Sequence, residues 1–124
     1  MRKNEYDSLD EFIYEYSIGR KFSWQNEDNR ERFQGIEFEA SGVYYRMCRE
    51  TYDETFSPTL PNGKPGIYNV MIMHCDKSGY PTADSFESIG WYDSIETLLK
   101  ECKIGDRFFR DVIIDEDTEI LGKD

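Results

Sequence analysis

The chain has 124 residues, and its 26 Asp and Glu residues outnumber 15 Lys and Arg, so the formal net charge is −11. This charge disfavours direct binding to DNA, RNA or an anionic membrane surface, because like charges repel. The acidity is compatible with simple solubility, with binding to a basic partner, or with occupation of a nucleic-acid groove as a mimic. The length predicts a single α+β domain over residues 1–124.

The first predicted helix begins after Ser8, whose spacing from Glu11 matches a capping box, and it ends at Gly19. Its apolar stripe recurs at i, i+3, i+4 and i+7 and consists of Leu9, Phe12, Ile13 and Tyr16. The remaining face is predicted to be acidic through Asp7, Asp10, Glu11 and Glu15. These acids either solvate the helix and complement its dipole or form a contact face for a cationic partner.

Strand patterns follow the first helix. Residues 21–24 are predicted to form a strand, and residues 25–32 a polar loop or a short helix. Residues 36–40 alternate between apolar and acidic side chains, as in a half-buried strand. Ser41 and Gly42 form a two-residue hairpin signal, so residues 43–49 are expected to return as the antiparallel partner.

A loop rich in proline and glycine is predicted over residues 57–66, as a long hairpin connection or a binding loop. Residues 67–73 are apolar enough for a central strand that is buried on both faces. A turn over residues 76–81 then allows residues 85–92 to pair back with that strand.

The second clear helix is predicted over residues 94–103. Asp93 is its expected cap, with Glu96 at capping-box spacing, and Gly105 its expected end. One helical face consists of Ile95, Leu98, Leu99 and Cys102. On this face Cys102 is interpreted as a small apolar residue rather than a reactive thiol.

The C-terminal region has two open interpretations. Residues 107–112 form a short helix, or residues 108–114 form a strand rich in Phe, Val and Ile. Residues 118–121 are predicted to form a terminal edge strand. The expected architecture is an N-terminal helix, a mostly antiparallel sheet of about five strands, and a C-terminal helix packed on the sheet.

Catalytic residues are sparse. His74 is the only histidine, and strand alternation would place it and Cys75 on opposite faces. A catalytic pair with Cys48 or Cys102 would require the fold to bring them together. A small Cys/His-dependent enzyme is therefore an alternative rather than the leading hypothesis. A regulatory module that binds a small ligand in an aromatic-lined pocket is another.

No metal or cofactor is predicted. The chain's one His and three scattered Cys lack the paired spacing of a zinc site. Asp115, Asp117 and Glu119 alternate like the start of a calcium loop, but Ile120 occupies the position of its glycine and the chain ends before its last ligand.

The cellular location is also predicted from the sequence. Three widely separated Cys residues form no disulfide framework, which indicates a reducing cytoplasm. The longest strictly apolar runs are only about four residues, too short for a transmembrane helix. The first seven residues lack the apolar core of a signal peptide.

Tyrosines interleaved with acids suit protein recognition, because rings supply contact area and acids supply electrostatic steering. The tyrosines expected to be partly exposed are Tyr14, Tyr44, Tyr68, Tyr80 and Tyr92. The residues predicted to bind a partner are Asp7, Asp10, Glu11, Tyr14, Glu15, Asp111, Asp115, Glu116, Asp117 and Glu119.

Three segments carry a family resemblance: IGRKF (18–22), FEASGVYYRM (38–47) and YDSIETLL…KIGDRFFRDVI…EI near the C-terminus. Together they resemble small uncharacterised proteins of phages and mobile elements of Gram-positive bacteria. The region from about residue 50 to 85 is not covered by this resemblance. The chain is similar to anti-CRISPR proteins in size, acidity and lack of a catalytic motif. The resemblance implies an accessory protein that acts on host machinery. The leading hypothesis is a non-enzymatic inhibitor that binds a basic surface of a nucleic-acid-processing host protein, such as a CRISPR effector.

Overall fold

The structure, a computed structural model, describes residues 4–16, 33–49, 58–75, 77–79 and 81–123. The predictions for Gly19, Tyr80 and residues 21–32 lie outside these ranges. The elements in chain order are α1 (Leu9–Tyr16), β1 (Gly35–Ala40), β2 (Val43–Arg49), β3 (Tyr68–Cys75), β4 (Pro81–Tyr92), α2 (Ile95–Glu101), β5 (Lys103–Ile104), β6 (Arg107–Phe108), α3 (Phe109–Val112) and β7 (Glu119–Lys123). This α+β architecture confirms the predicted fold class.

Five strands form one antiparallel sheet in the order β4-β3-β2-β1-β7. The predicted hairpin is confirmed, since Ala40 pairs with Val43 across a two-residue turn. Both turn residues have positive φ, 54° at Ser41 and 82° at Gly42, which is the conformation that a tight hairpin turn requires. This turn fixes the register of the two strands, so the alternation of residues along β1 decides which of them face the core.

The predicted terminal edge strand is also confirmed, as β7 pairs with β1 at one edge of the sheet. The register shifts between Glu37 and Phe38, so a bulge bends the sheet there. The strand predicted over residues 85–92 pairs back with β3 as expected, and it is longer than expected.

The start of α2 corrects one prediction. Ser94, not Asp93, is the cap: its backbone is extended, and its Oγ accepts a hydrogen bond from the Thr97 N–H at 3.1 Å. The Asp93–Glu96 capping box is therefore wrong by one residue, because two adjacent residues can both cap and the backbone geometry selects between them.

The end of α2 corrects another. The helix stops at Glu101, because Cys102 is already extended with φ −69° and ψ 129°. Gly105 does not end the helix; with φ 66° it turns the chain between β5 and β6. Of the two interpretations of the next segment, the short helix is confirmed as the single turn α3, Phe109–Val112. The strand over residues 108–114 is wrong, because β6 ends at Phe108.

The core lies between the sheet and the helices. Phe109 of α3 is fully buried, and its ring centroid lies 5.6 Å from that of Phe12 and 5.7 Å from that of Phe38. One ring thus joins α1, α3 and the sheet. None of the helices in the described ranges has the length and apolar character needed to cross a bilayer.

Candidate functional site

Residues from the two chain ends are hydrogen-bonded to each other. The buried Asn4 side chain donates from Nδ2 to the carbonyl oxygens of Ile113, at 2.6 Å, and Asp115, at 2.9 Å. Its Oδ1 accepts from the Tyr6 N–H at 2.9 Å. Because buried polar groups are costly when they are unpaired, this asparagine fixes the segment before α1 against the turn after α3.

The exposed acids of both chain ends therefore lie on neighbouring elements. The contact between Phe12 and Phe109 packs α1 beside α3, and Asn4 adds the turn that leads into β7. We call this region the terminal acidic surface; its exposed members are Asp7, Asp10, Glu11, Asp111, Glu116, Asp117 and Glu119. The fold places the elements that carry these two acidic groups next to each other.

Glu15 does not belong to this surface. It is only 5% exposed, and its carboxylate accepts hydrogen bonds from the Tyr6 hydroxyl and, at 3.3 Å, from Lys123 Nζ. The prediction that Glu15 lies on the outer face of α1 is wrong. A partner cannot reach this carboxylate without displacing the groups that cover it.

Asp115 and Tyr14 are both only half-buried. Asp115 Oδ2 lies 2.7 Å from Arg107 Nη2, and its Oδ1 accepts from the Asp117 N–H at 2.8 Å. Asp115 thus stabilises the turn that contains its exposed acidic neighbours, Glu116 and Asp117.

The tyrosines fall into two groups. Tyr68 is fully buried and its hydroxyl donates to the Tyr16 carbonyl, so the prediction of partial exposure is wrong for this residue. Its side chain lies on the face of β3 that packs into the hydrophobic core. Tyr14, Tyr44 and Tyr92 are half-buried, as predicted.

A charged cluster beneath the terminal acidic surface was not predicted. Burial raises the pKa of Glu15 by more than its bonds to Tyr6 and Lys123 lower it. Burial alone would lower the pKa of Lys123, but Glu5 and Glu15 together raise it above its ordinary value. No local sequence pattern marks this cluster, because 108 residues separate Glu15 from Lys123.

We expect the protein to lose thermal stability steeply when the pH rises above about 10. Burial and the bond to Glu15 raise the pKa of Tyr6 above its ordinary value of 10.0. Above about pH 10 the Tyr6 hydroxyl therefore ionises first in the unfolded chain. The stability that this hydroxyl contributes below about pH 10 is lost as the pH rises towards its folded-state pKa. Melting temperatures measured across this range test the expectation.

The Tyr6→Phe variant is the control for this pH profile. It removes the titrating hydroxyl while keeping the ring that packs edge-on against Phe12 at 5.8 Å. Its melting temperature should be lower at neutral pH but should fall less steeply in alkali. Parallel profiles for the two proteins would contradict the assigned role of Tyr6.

The described thiols are poorly placed for nucleophilic chemistry. Cys102 is fully buried, and burial raises the pKa of its thiol by more than the hydrogen bond with Tyr92 lowers it. Cys48 is also buried, whereas His74 is exposed and lies 3.3 Å from Glu87. A protonated, buried thiol is a poor nucleophile. Within the described ranges, no three His, Cys, Asp or Glu side chains are grouped so that they could hold a metal ion.

Comparison with known proteins adds no relative. No family model, no curated protein and no solved structure matches the chain.

Proposed function

We propose that this protein is a non-enzymatic inhibitor that binds a basic surface of a nucleic-acid-processing protein, such as a CRISPR effector, in the cytoplasm. The observation that carries the proposal is the terminal acidic surface, on which acids from both chain ends are held by one folded unit. In this proposal the surface occupies a site that the partner uses for nucleic acid.

Two cations near this surface are paired with carboxylates that are not members of it. Lys123 lies within 3.3 Å of Glu5 and Glu15 oxygens, and Arg107 pairs with Asp115. Glu5, Glu15 and Asp115 are not members of the terminal acidic surface. The acids of the surface are exposed to solvent, where negative charge can steer a basic partner into contact.

The surface is also held in a fixed arrangement. Its elements are joined by the buried Asn4 hydrogen bonds and by the buried Phe109 ring. A pre-organised array of carboxylates loses little conformational entropy on binding. Such an array suits a protein groove that accommodates the closely spaced phosphates of a nucleic acid.

A cleavage assay tests the inhibitor function directly. A guide-loaded CRISPR effector is incubated with its target DNA and increasing amounts of the protein, and binding is measured in parallel at several salt concentrations. We expect inhibited cleavage and an affinity that falls steeply as salt rises, because exposed charges are screened. Absence of both binding and inhibition across effectors of several types would overturn the proposal, and salt-independent binding would exclude the mimicry mechanism.

Neutralising part of the surface should weaken the partner complex. The triple variant Asp7→Asn, Asp10→Asn, Asp117→Asn is expected to lose about threefold to a hundredfold in affinity at low salt, because each exposed ion pair contributes about 0.2–1 kcal/mol. The measurement is a titration of the immobilised partner.

The matched control removes the same number of charges elsewhere. Glu87 lies on β4 at the opposite edge of the sheet from β7, and Glu96 and Glu101 are exposed on α2. The variant Glu87→Gln, Glu96→Gln, Glu101→Gln should lose less than about threefold, as general charge effects alone are weak. Equal losses in the two variants would mean that net charge, not the terminal acidic surface, determines binding.

A further inference from the structure

The loop before β3 contains a tight turn closed by backbone hydrogen bonds. The Leu60 N–H donates to the Lys64 carbonyl at 2.8 Å, and the Gly63 N–H donates to the Leu60 carbonyl at 2.9 Å. Gly63 has φ 83°, the left-handed conformation that follows a type I turn in a short hairpin loop. The residue before it, Asn62, is exposed at the tip of this turn.

The Asn62 side chain ties the loop to the start of α2. Its Nδ2 donates to Asp93 Oδ2 at 3.1 Å, and its Oδ1 accepts from the Lys64 N–H at 3.0 Å. The side chains of Thr97 and Asn62 and the charge of Lys64 keep the pKa of Asp93 below its usual value. Asp93 is therefore a carboxylate acceptor at neutral pH, and the contact needs an amide donor at position 62.

An asparagine followed by glycine can modify itself. The backbone nitrogen of Gly63 attacks Asn62 Cγ, because no side chain on the glycine hinders the approach. The N–Cγ bond forms, the Cγ–Nδ2 bond breaks, and Nδ2 leaves as ammonia with the proton of the Gly63 N–H. Water then opens the cyclic imide at either carbonyl, which gives aspartate or isoaspartate at position 62.

The fold restrains this reaction. The attacking nitrogen donates to Leu60, and the amide is held by Asp93 and Lys64. Cyclisation requires both restraints to break, so its rate depends on local opening of the loop. Once a carboxylate replaces the amide, it meets the Asp93 carboxylate at the position of the lost donor, and like charges repel there.

We propose that Asn62 is a site of spontaneous deamidation that is gated by its hydrogen bond to Asp93, and that the product releases the loop from the start of α2. The modification is slow in the closed loop and faster in the open one. Because the product cannot revert to the amide without an external nitrogen donor, the release is a one-way change that increases the negative charge of the protein.

Peptide mass spectrometry after incubation in mildly alkaline buffer tests the reaction. We expect conversion of the amide to an acid at Asn62, about threefold to tenfold faster in Asp93→Ala, which lacks one restraining hydrogen bond. Glu96→Ala, a change at an exposed residue of α2, is the control and should match the wild-type rate. No conversion at Asn62, or equal rates in Asp93→Ala and the wild type, would overturn the proposal.

A charge exchange tests the consequence for the loop. Asn62→Asp should lower the melting temperature, and added salt should restore part of the loss because it screens the two carboxylates. Combining it with Asp93→Asn again places one amide opposite one carboxylate, so the double variant should be more stable than Asn62→Asp. Amide hydrogen exchange at Gly63 and Lys64 should follow the same order. A double variant no more stable than Asn62→Asp would contradict loop release by repulsion.

Discussion

Replacing Phe109 with alanine should lower the free energy of unfolding by about 3–5 kcal/mol. The ring is fully buried and lies between Phe12 of α1 and Phe38 of β1. Its removal leaves a cavity at the point where the helices meet the sheet, and a packed interior cannot fully collapse into such a space. Urea unfolding followed by circular dichroism measures the loss.

The neighbouring Phe108 provides a matched control, since the same ring is removed one residue away. Phe108 is half-buried, and its ring is covered by the cations of Lys103, at 5.2 Å, and Arg110, at 4.7 Å. Exposed cation–π contacts contribute about 0.5–1 kcal/mol, so Phe108→Ala should cost far less than Phe109→Ala. Similar losses would show that Phe109 is not the centre of the core.

Replacing Glu15 with alanine should cost about 2–4 kcal/mol, because a buried group that loses its partner costs more than the bond contributed. The Tyr6 hydroxyl would lose its acceptor, and Lys123 would lose one of its two described ion pairs and keep the one with Glu5. Thermal and urea unfolding at neutral pH measure the effect.

Two variants separate the possible causes of this loss. Glu15→Gln retains oxygen and shape, so it should be destabilised by less than half as much if the acceptor matters more than the charge. Asp10→Ala removes an exposed acid from the same helix and should cost no more than about 1 kcal/mol. If Asp10→Ala costs as much as Glu15→Ala, helix electrostatics rather than the buried cluster explains the loss.

These two residues also bear on the proposed function. Phe109 and Glu15 lie beneath the terminal acidic surface and join the elements that carry it. A variant that loosens these contacts should bind a partner more weakly without losing any exposed acid, because the array is then less pre-organised. Stability must therefore be measured beside binding for every variant of the surface.

The sequence by itself determined the parts of the fold that depend on neighbouring residues. Alternation in residues 36–40 and the signal at Ser41 and Gly42 predicted the first hairpin, and helical spacing predicted the buried stripes of α1 and α2. These elements can be predicted because side-chain direction repeats about every 3.6 residues in a helix and about every 2 residues in a strand. Even here the capping residue was misplaced by one, since Asp93 and Ser94 both suit that role.

Only the tertiary structure decided which charged and aromatic residues are available to a partner. Glu15 is buried against Tyr6 and Lys123. Tyr68 is buried in the core, and its hydroxyl donates to the Tyr16 carbonyl 52 residues away in sequence. The segments at the two chain ends likewise lie together because Asn4 donates a hydrogen bond to a carbonyl 109 residues further on. Contacts at such separations arise from packing of whole elements and leave no periodic trace in the sequence.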